Sequence, residues 1–203
     1  MSIVVDTKQI DRLTIELKGF EKEVGESTYH ALNRTIDQVI TQVGRIVTKE
    51  YAIKTKDVKD SFNKGIKRPS KKNLNASLTS RGHTLSLAHF PHAPKIPPQS
   101  RRKYQVKVTI KRSTGRQTLK INPKAFIAST GAIDSSKTLY NIFRREGEKR
   151  LPITVIRTLS IPQMITNEEV SEQIQTFAQE KLEERLEHEI EYRMTSMSKR
   201  IKK

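Results

Sequence analysis

Few residues in this chain have the types and spacing that catalysis or metal binding requires. His89-Phe-Pro-His92 sets two imidazoles three apart, but the intervening proline disfavours a helix, and no Cys or obvious third ligand accompanies them. Glu146 and Glu148 stand two apart in an arginine-rich stretch containing Gly147, where salt bridging is the simpler role. His30 and His188 fall in helical patterns and His83 follows Gly82 in a turn; none pairs with a Ser or an acid. A P-loop, a Gly-x-Ser-x-Gly elbow and a dinucleotide fingerprint are all missing from the sequence. The expectation is a protein without catalytic residues, metal ligands or cofactors.

What remains as candidate chemistry is cationic. Between Lys54 and Arg157 there are 25 Lys and Arg against five Asp and Glu, a balance of +20, whereas residues 1–53 sum to −1 and 158–203 to −2, giving the total of +17. Charge confined to the middle of a chain points to one face that meets a polyanion, most simply phosphate. The face expected from the pattern comprises Lys67, Arg68, Lys71, Lys72, Arg101, Arg102, Lys103, Lys107 and Lys111. Such a face binds phosphates through counterion release, with little sequence selectivity. A solvated basic surface, or one that docks an acidic protein, has the same composition. Zinc-finger spacing, a helix-turn-helix pattern and an aromatic stacking signature are absent, so base-specific reading is not expected.

The elements that must position these cations can be read from periodicity. Ile10, Leu13, Leu17, Phe20 and Val24, then Ala31, Leu32, Ile36, Val39, Val43, Ile46 and Val47, recur at helical steps. Asp6 or Thr7 is placed to cap this helix, and a break is expected near Gly25 unless neighbouring subunits support the rod. Thr55 is placed to cap a further turn or two over Asp57 to Phe62. The period then changes to two: Leu74, Ala76 and Leu78, Leu85 and Leu87, and most cleanly Tyr104, Val106, Val108 and Ile110. Ser113-Thr-Gly-Arg116 reads as a hairpin turn. Residues 89–103 hold four of the eight prolines and read as an exposed, mobile loop, and Thr130 to Thr138 as another. Phe143 and Leu151-Pro-Ile153 read as strand ends bracketing a turn at Gly147, with Pro152 and Pro162 keeping their strands at an edge. From Thr166 or Asn167 a last helix carries the stripe Val170, Ile174, Phe177, Ala178, Leu182, Leu186, Ile190 and Met194.

The fold class is therefore α+β: a long N-terminal helix, a small antiparallel sheet or open barrel with basic loops, and a long C-terminal helix. Three regions are expected: a helical segment 1–53, a basic β-rich core 54–165 with mobile loop 89–103, and a C-terminal helix with basic tail 166–203. No cysteine is present, so no disulfide framework is available. No apolar run approaches the ~18–20 residues of a membrane span, and the N-terminus lacks a signal-peptide pattern, so a soluble protein is expected.

The order of Ala125-Phe-Ile-Ala128, Ile142-Phe-Arg-Arg-Glu-Gly-Glu-Lys-Arg-Leu-Pro-Ile153 and Leu159-Ser-Ile-Pro-Gln-Met164 is distinctive. It resembles the prophage minor tail protein Z family of tailed bacteriophages. Ala31-Leu-Asn-Arg34, Tyr51-Ala-Ile-Lys-Thr-Lys-Asp-Val58, Asn73-Leu-Asn-Ala76, Leu85-Ser-Leu87 before Phe90, and Leu186-Glu-His-Glu-Ile-Glu-Tyr-Arg193 extend the resemblance over most of the chain. One departure is Thr158-Leu-Ser160 before Ile161-Pro162, where members often have Gly-Pro-Ser. The resemblance implies no catalytic residues. It implies a structural virion component at the head-proximal end of the tail, assembled in the host cytoplasm, serving head–tail joining and placement of the genome end. Its implied partners are sister copies in a ring, hexameric by tail symmetry, neighbouring tail and head-completion proteins, and double-stranded viral DNA, with no membrane. Phe143, Arg144, Gly147, Arg150, Leu151, Pro152 and Ile153 are then expected to make subunit or neighbour contacts. The alternative is a non-sequence-specific nucleic-acid-binding protein acting as a monomer or dimer.

Overall fold

A computed structural model describes residues 2–4, 21–98, 104–131 and 140–201. Helix α1 (Glu21–Glu50) is continuous through Gly25 and Gly44. The expected break near Gly25 does not occur, because burial of Leu32, Ile36, Val39, Val43 and Val47 outweighs the ~1 kcal/mol that each glycine costs. The positions proposed to cap the helix, Asp6 and Thr7, lie outside the described residues. Gly44 has a packing reason: a Cβ there would sit 2.8 Å from Thr55 Cγ2, where helix α2 (Thr55–Asp60) folds back on α1. Lys54, not Thr55, occupies the cap of α2, since its carbonyl accepts the first helical bonds from the amides of Asp57 and Val58.

The strands form three separate antiparallel sheets. In the first, β1 (Ser2–Val4), β2 (Ile66–Lys67) and β3 (Ser77–Thr79) run in the order β1-β3-β2. The second holds β4 (His92–Ala93), β5 (Lys107–Val108) and β6 (Gln117–Thr118), the third β7 (Phe126–Ser129), β8 (Tyr140–Arg145) and β9 (Ile153–Val155), each in sequence order. The alternation from Tyr104 to Ile110 buries Val106 and Val108 and leaves Gln105 and Lys107 exposed, as a half-buried strand should. The hairpin turn before β6 forms as expected, with Gly115 at φ 63 and its amide donating to the Arg112 carbonyl.

Three expectations are corrected. Leu85 and Leu87 do not belong to a ladder strand: Leu87–His89 is a short 3-10 helix, although Leu85 and Leu87 exchange backbone bonds with residues 156–159. The proline-rich loop is anchored where it is described, because Phe90 is buried and His92–Ala93 pair with Val108 and Lys107. Its prolines flank an edge strand, where a missing N–H does no harm; residues 99–103 lie outside the described residues. Pro162 sits in the first turn of helix α3 (Ile161–Ile165), not in a strand. There Ser160 and Gln163 form a capping box, each side chain bonding the other's backbone amide.

Helix α4 (Glu168–Ile201) starts with Glu168 and Glu169 at its positive dipole end. Val170, Ile174, Ala178, Leu182 and Leu186 are buried at steps of four, and the stripe packs along α1 in the most extensive contact between any two elements. Polar contacts give the direction. Arg193 reaches Glu23 and Glu26 at 3.1 and 2.8 Å, and buried Glu189 lies 2.5 Å from Arg34. The two helices are thus antiparallel, with the end of α4 against the start of α1. One buried cluster joins residues of α1, all three sheets and α4.

Candidate anion-binding faces

The cations expected to form one face are attached to α1 at separated points. Lys71 pairs with Glu26 at 3.4 Å, Arg68 with Asp37 at 2.6 Å and Lys111 with Glu50 at 3.2 Å. At ~1.5 Å per residue, Glu26 and Glu50 are roughly 36 Å apart along the helix. Lys67, Arg68, Lys71 and Lys72 therefore gather around the β2–β3 connection, beside the first half of α1. Lys67 and Arg68 join Ser70, Asn73, Asn75, Ala76 and Ser77 in lining an open groove of about 540 Å3. Lys107 belongs to the second sheet, and Lys111 to the β5–β6 connection, where it bridges to Tyr51 just past the far end of α1. Arg101, Arg102 and Lys103 lie outside the described residues.

Electrostatics distinguishes the members of the set. Lys111 is held above the usual lysine value, first by its bond to Glu50 and then by Tyr51, over whose ring it stands at 5.6 Å. Burial pushes the Tyr51 hydroxyl up. Glu26 is held below the usual carboxylate value, first by Arg193 and then by Lys71. Arg193 stays raised because Glu23 and Glu26 together outweigh the burial that opposes its charge. Lys67, Lys72 and Lys107 are exposed and carry no ion pair among the described residues.

A second basic site went unrecognised in the sequence. Lys54, Lys95, Arg112 and Arg116 surround an open cleft of about 740 Å3 whose floor includes Ala52, Ile53, Ala88 and Phe90. His89, His92 and Tyr140 also line it, and among the described residues no acid does. Arg112 is fixed: its Nε donates to the Thr48 carbonyl at 2.7 Å and its amide to the Glu50 carbonyl at 2.8 Å. The terminal guanidinium nitrogens are left for an incoming anion, a fork that suits carboxylate or phosphate. None of the four cations is in an ion pair among the described residues. Sequence offered only a weak signal, since 62 residues separate Lys54 from Arg116 and the cleft exists only after the second sheet docks on α1. Each histidine has a local partner: His92 Nδ1 lies 2.8 Å from the Phe90 carbonyl and His89 Nδ1 3.2 Å from Ser86 Oγ.

The set expected to contact neighbours maps to the β8–β9 hairpin. Phe143 is buried within the chain, stacked on Phe126 at 6.1 Å, while Arg145 covers the same ring at 5.4 Å. Arg144, Gly147, Arg150, Leu151 and Pro152 are exposed and Ile153 is half-buried; Leu151 is 66% exposed at the tip.

The sequence pattern of prophage minor tail protein Z matches residues 8–200, nearly the whole chain. The chain belongs to this family. As a member of the minor tail protein Z family it is a structural component of a phage tail. No curated protein and no solved structure matches it. Among the described residues, no helix is long and apolar enough to cross a membrane. The Z-family segment 142–153 is the β8–β9 hairpin, and the segment 159–164 is the capped start of α3.

Proposed function

We propose that copies of this minor tail protein form a ring at the head-proximal end of the tail, hexameric by analogy with tail symmetry. There they join head to tail and hold the genome end. In this reading Lys67, Arg68, Lys71, Lys72, Arg101, Arg102, Lys103, Lys107 and Lys111 face the DNA channel, and the exposed tip of the β8–β9 hairpin meets a neighbouring protein. The observation that carries the reading is the concentration of +20 in residues 54–157 of a tail protein whose two long helices pack on each other. Arg68, Lys71 and Lys111 are paired, but ion pairs open to solvent contribute little, so these cations can exchange their acids for phosphate.

Sizing the purified protein and titrating it with duplex at two salt concentrations tests this. Rings with weak, salt-sensitive DNA affinity are expected. Tight binding by monomers or dimers would replace the reading with that of a free nucleic-acid-binding protein. In particles, charge reversal at Arg101, Arg102 and Lys103 should allow assembly but impair DNA retention or ejection. Normal infectivity would remove that loop from the account.

A further inference from the structure

The cleft between the second sheet and residues 52–54, just past the end of α1, holds four cations with no ion-pair partner among the described residues, and the same chain carries a surface that matches it. The side of α4 opposite its buried stripe presents Glu180, Glu184, Glu187 and Glu191 at steps of four, three and four, all exposed. These steps place the four carboxylates on one ridge, about 16 Å long. Glu184 is engaged by Lys181, while Glu180, Glu187 and Glu191 have no partner among the described residues.

The two surfaces cannot meet within one molecule. Glu189 and Arg193 lie against residues 23–34 of α1, so the Glu187–Glu191 end of the ridge sits at the start of that helix; Glu180 is about 14 Å further along, and the whole ridge faces away from α1. The cleft sits at its other end, where Arg112 bonds the Thr48 carbonyl. From residue 30 to residue 50 is about 30 Å along the axis. We infer that the cleft receives the acidic ridge of α4 from a second copy of this chain, in a head-to-tail contact.

The chemistry favours this occupant over a duplex. Arg112, fixed through Nε, presents a fork to a carboxylate. Lys54, Lys95 and Arg116 supply three further cations, and the apolar lining at Ala52, Ile53, Ala88 and Phe90 accepts the aliphatic stems of Glu187 and Glu191. A phosphodiester backbone would satisfy the cations and leave that floor wet. Because donor and acceptor are different patches on one chain, the contact is heterologous and repeats around a ring when its rotation closes. The inference rests on the ring reading above and names the contact that builds the ring.

The test uses two variants of the full chain, each checked for a wild-type circular dichroism spectrum. Lys54→Glu, Lys95→Glu and Arg116→Glu together take the four cleft cations from +4 to −2 without touching the bonded Arg112. Glu180→Lys, Glu187→Lys and Glu191→Lys together take the ridge from −4 to +2. By analytical ultracentrifugation each variant alone should associate at least about a hundredfold more weakly than the wild type, because like charges now face each other. An equimolar mixture should recover assembly with the two variants in equal amounts, since the acidic ridge of one meets the basic cleft of the other and the reversed pair also match. Rings from either variant alone, or a mixture that stays dissociated, would overturn the inference and leave the ring reading standing. So would a cleft variant that assembles normally but loses duplex binding, which would make nucleic acid the occupant. A wild-type protein that never assembles would remove the ring reading itself.

Discussion

Gly65→Ala is the sharpest test of the fold that carries the basic groove. A Cβ at this position would lie 1.8 Å from the Thr79 carbonyl oxygen, whereas real Cβ contacts stop near 3.0 Å, so the chain must open by at least about 1.2 Å. The obstacle is backbone, which cannot swing aside as a long side chain would. The same opening lengthens the bond from the Thr79 amide to the Gly65 carbonyl, now 2.9 Å, past any useful distance. Losing one net hydrogen bond costs about 1 kcal/mol, and overpacking adds about 1–3. The expected destabilisation is therefore about 2–4 kcal/mol. For a chain of this size that lowers the melting temperature by about 5–15 °C. Urea unfolding followed by circular dichroism should show a lower midpoint with an unchanged slope. A variant within about 0.5 kcal/mol of wild type would mean that residues 65 and 79 are not packed backbone to backbone, and the β2–β3 groove would lose its support.

Other outcomes follow from the same coordinates. Gly25→Ala meets nothing within 4 Å inside α1 and should stabilise by about 0.5–1 kcal/mol; a loss of stability in thermal melts would contradict the continuous helix. Ser160→Ala removes the capping box of α3 and should cost about 1 kcal/mol in urea unfolding, whereas no change would argue that α3 is held by packing alone. The α1–α4 clasp should be acid-sensitive. Glu26 is depressed in the folded state, so its contribution is complete above the ordinary glutamate value of ~4.3 and is lost as pH falls through the lower folded value. Arg193→Gln should flatten that part of the stability–pH curve, and an unaltered slope would exclude the clasp as its source.

Much of the architecture was legible before any coordinates. The helical steps from Ala31 to Val47 and from Val170 to Leu186 are dictated by one buried stripe per helix. The alternation around Val106 and Val108 likewise follows from one buried sheet face. Local chemistry is legible too. Gly115 marks the Ser113–Arg116 turn and the Ser160-x-x-Gln163 spacing marks a capping box, whereas Pro162 taken alone suits either a first helical turn or an edge strand. Gly25 does not break α1 because a propensity of ~1 kcal/mol is small against the packing of a whole helix face.

By itself the sequence determined the α+β class, the two long helices, the family and the concentration of positive charge, since each depends on residue type and short-range spacing. Tertiary structure alone decided which cations are committed and which are free. Arg68, Lys71 and Lys111 are bound to acids 31 to 61 residues away on α1, while Lys54, Lys95, Arg112 and Arg116 meet around a cleft with no acid among the described residues. The reason is physical: a charge is counted along the chain, but its field depends on neighbours that only folding brings within a few ångströms.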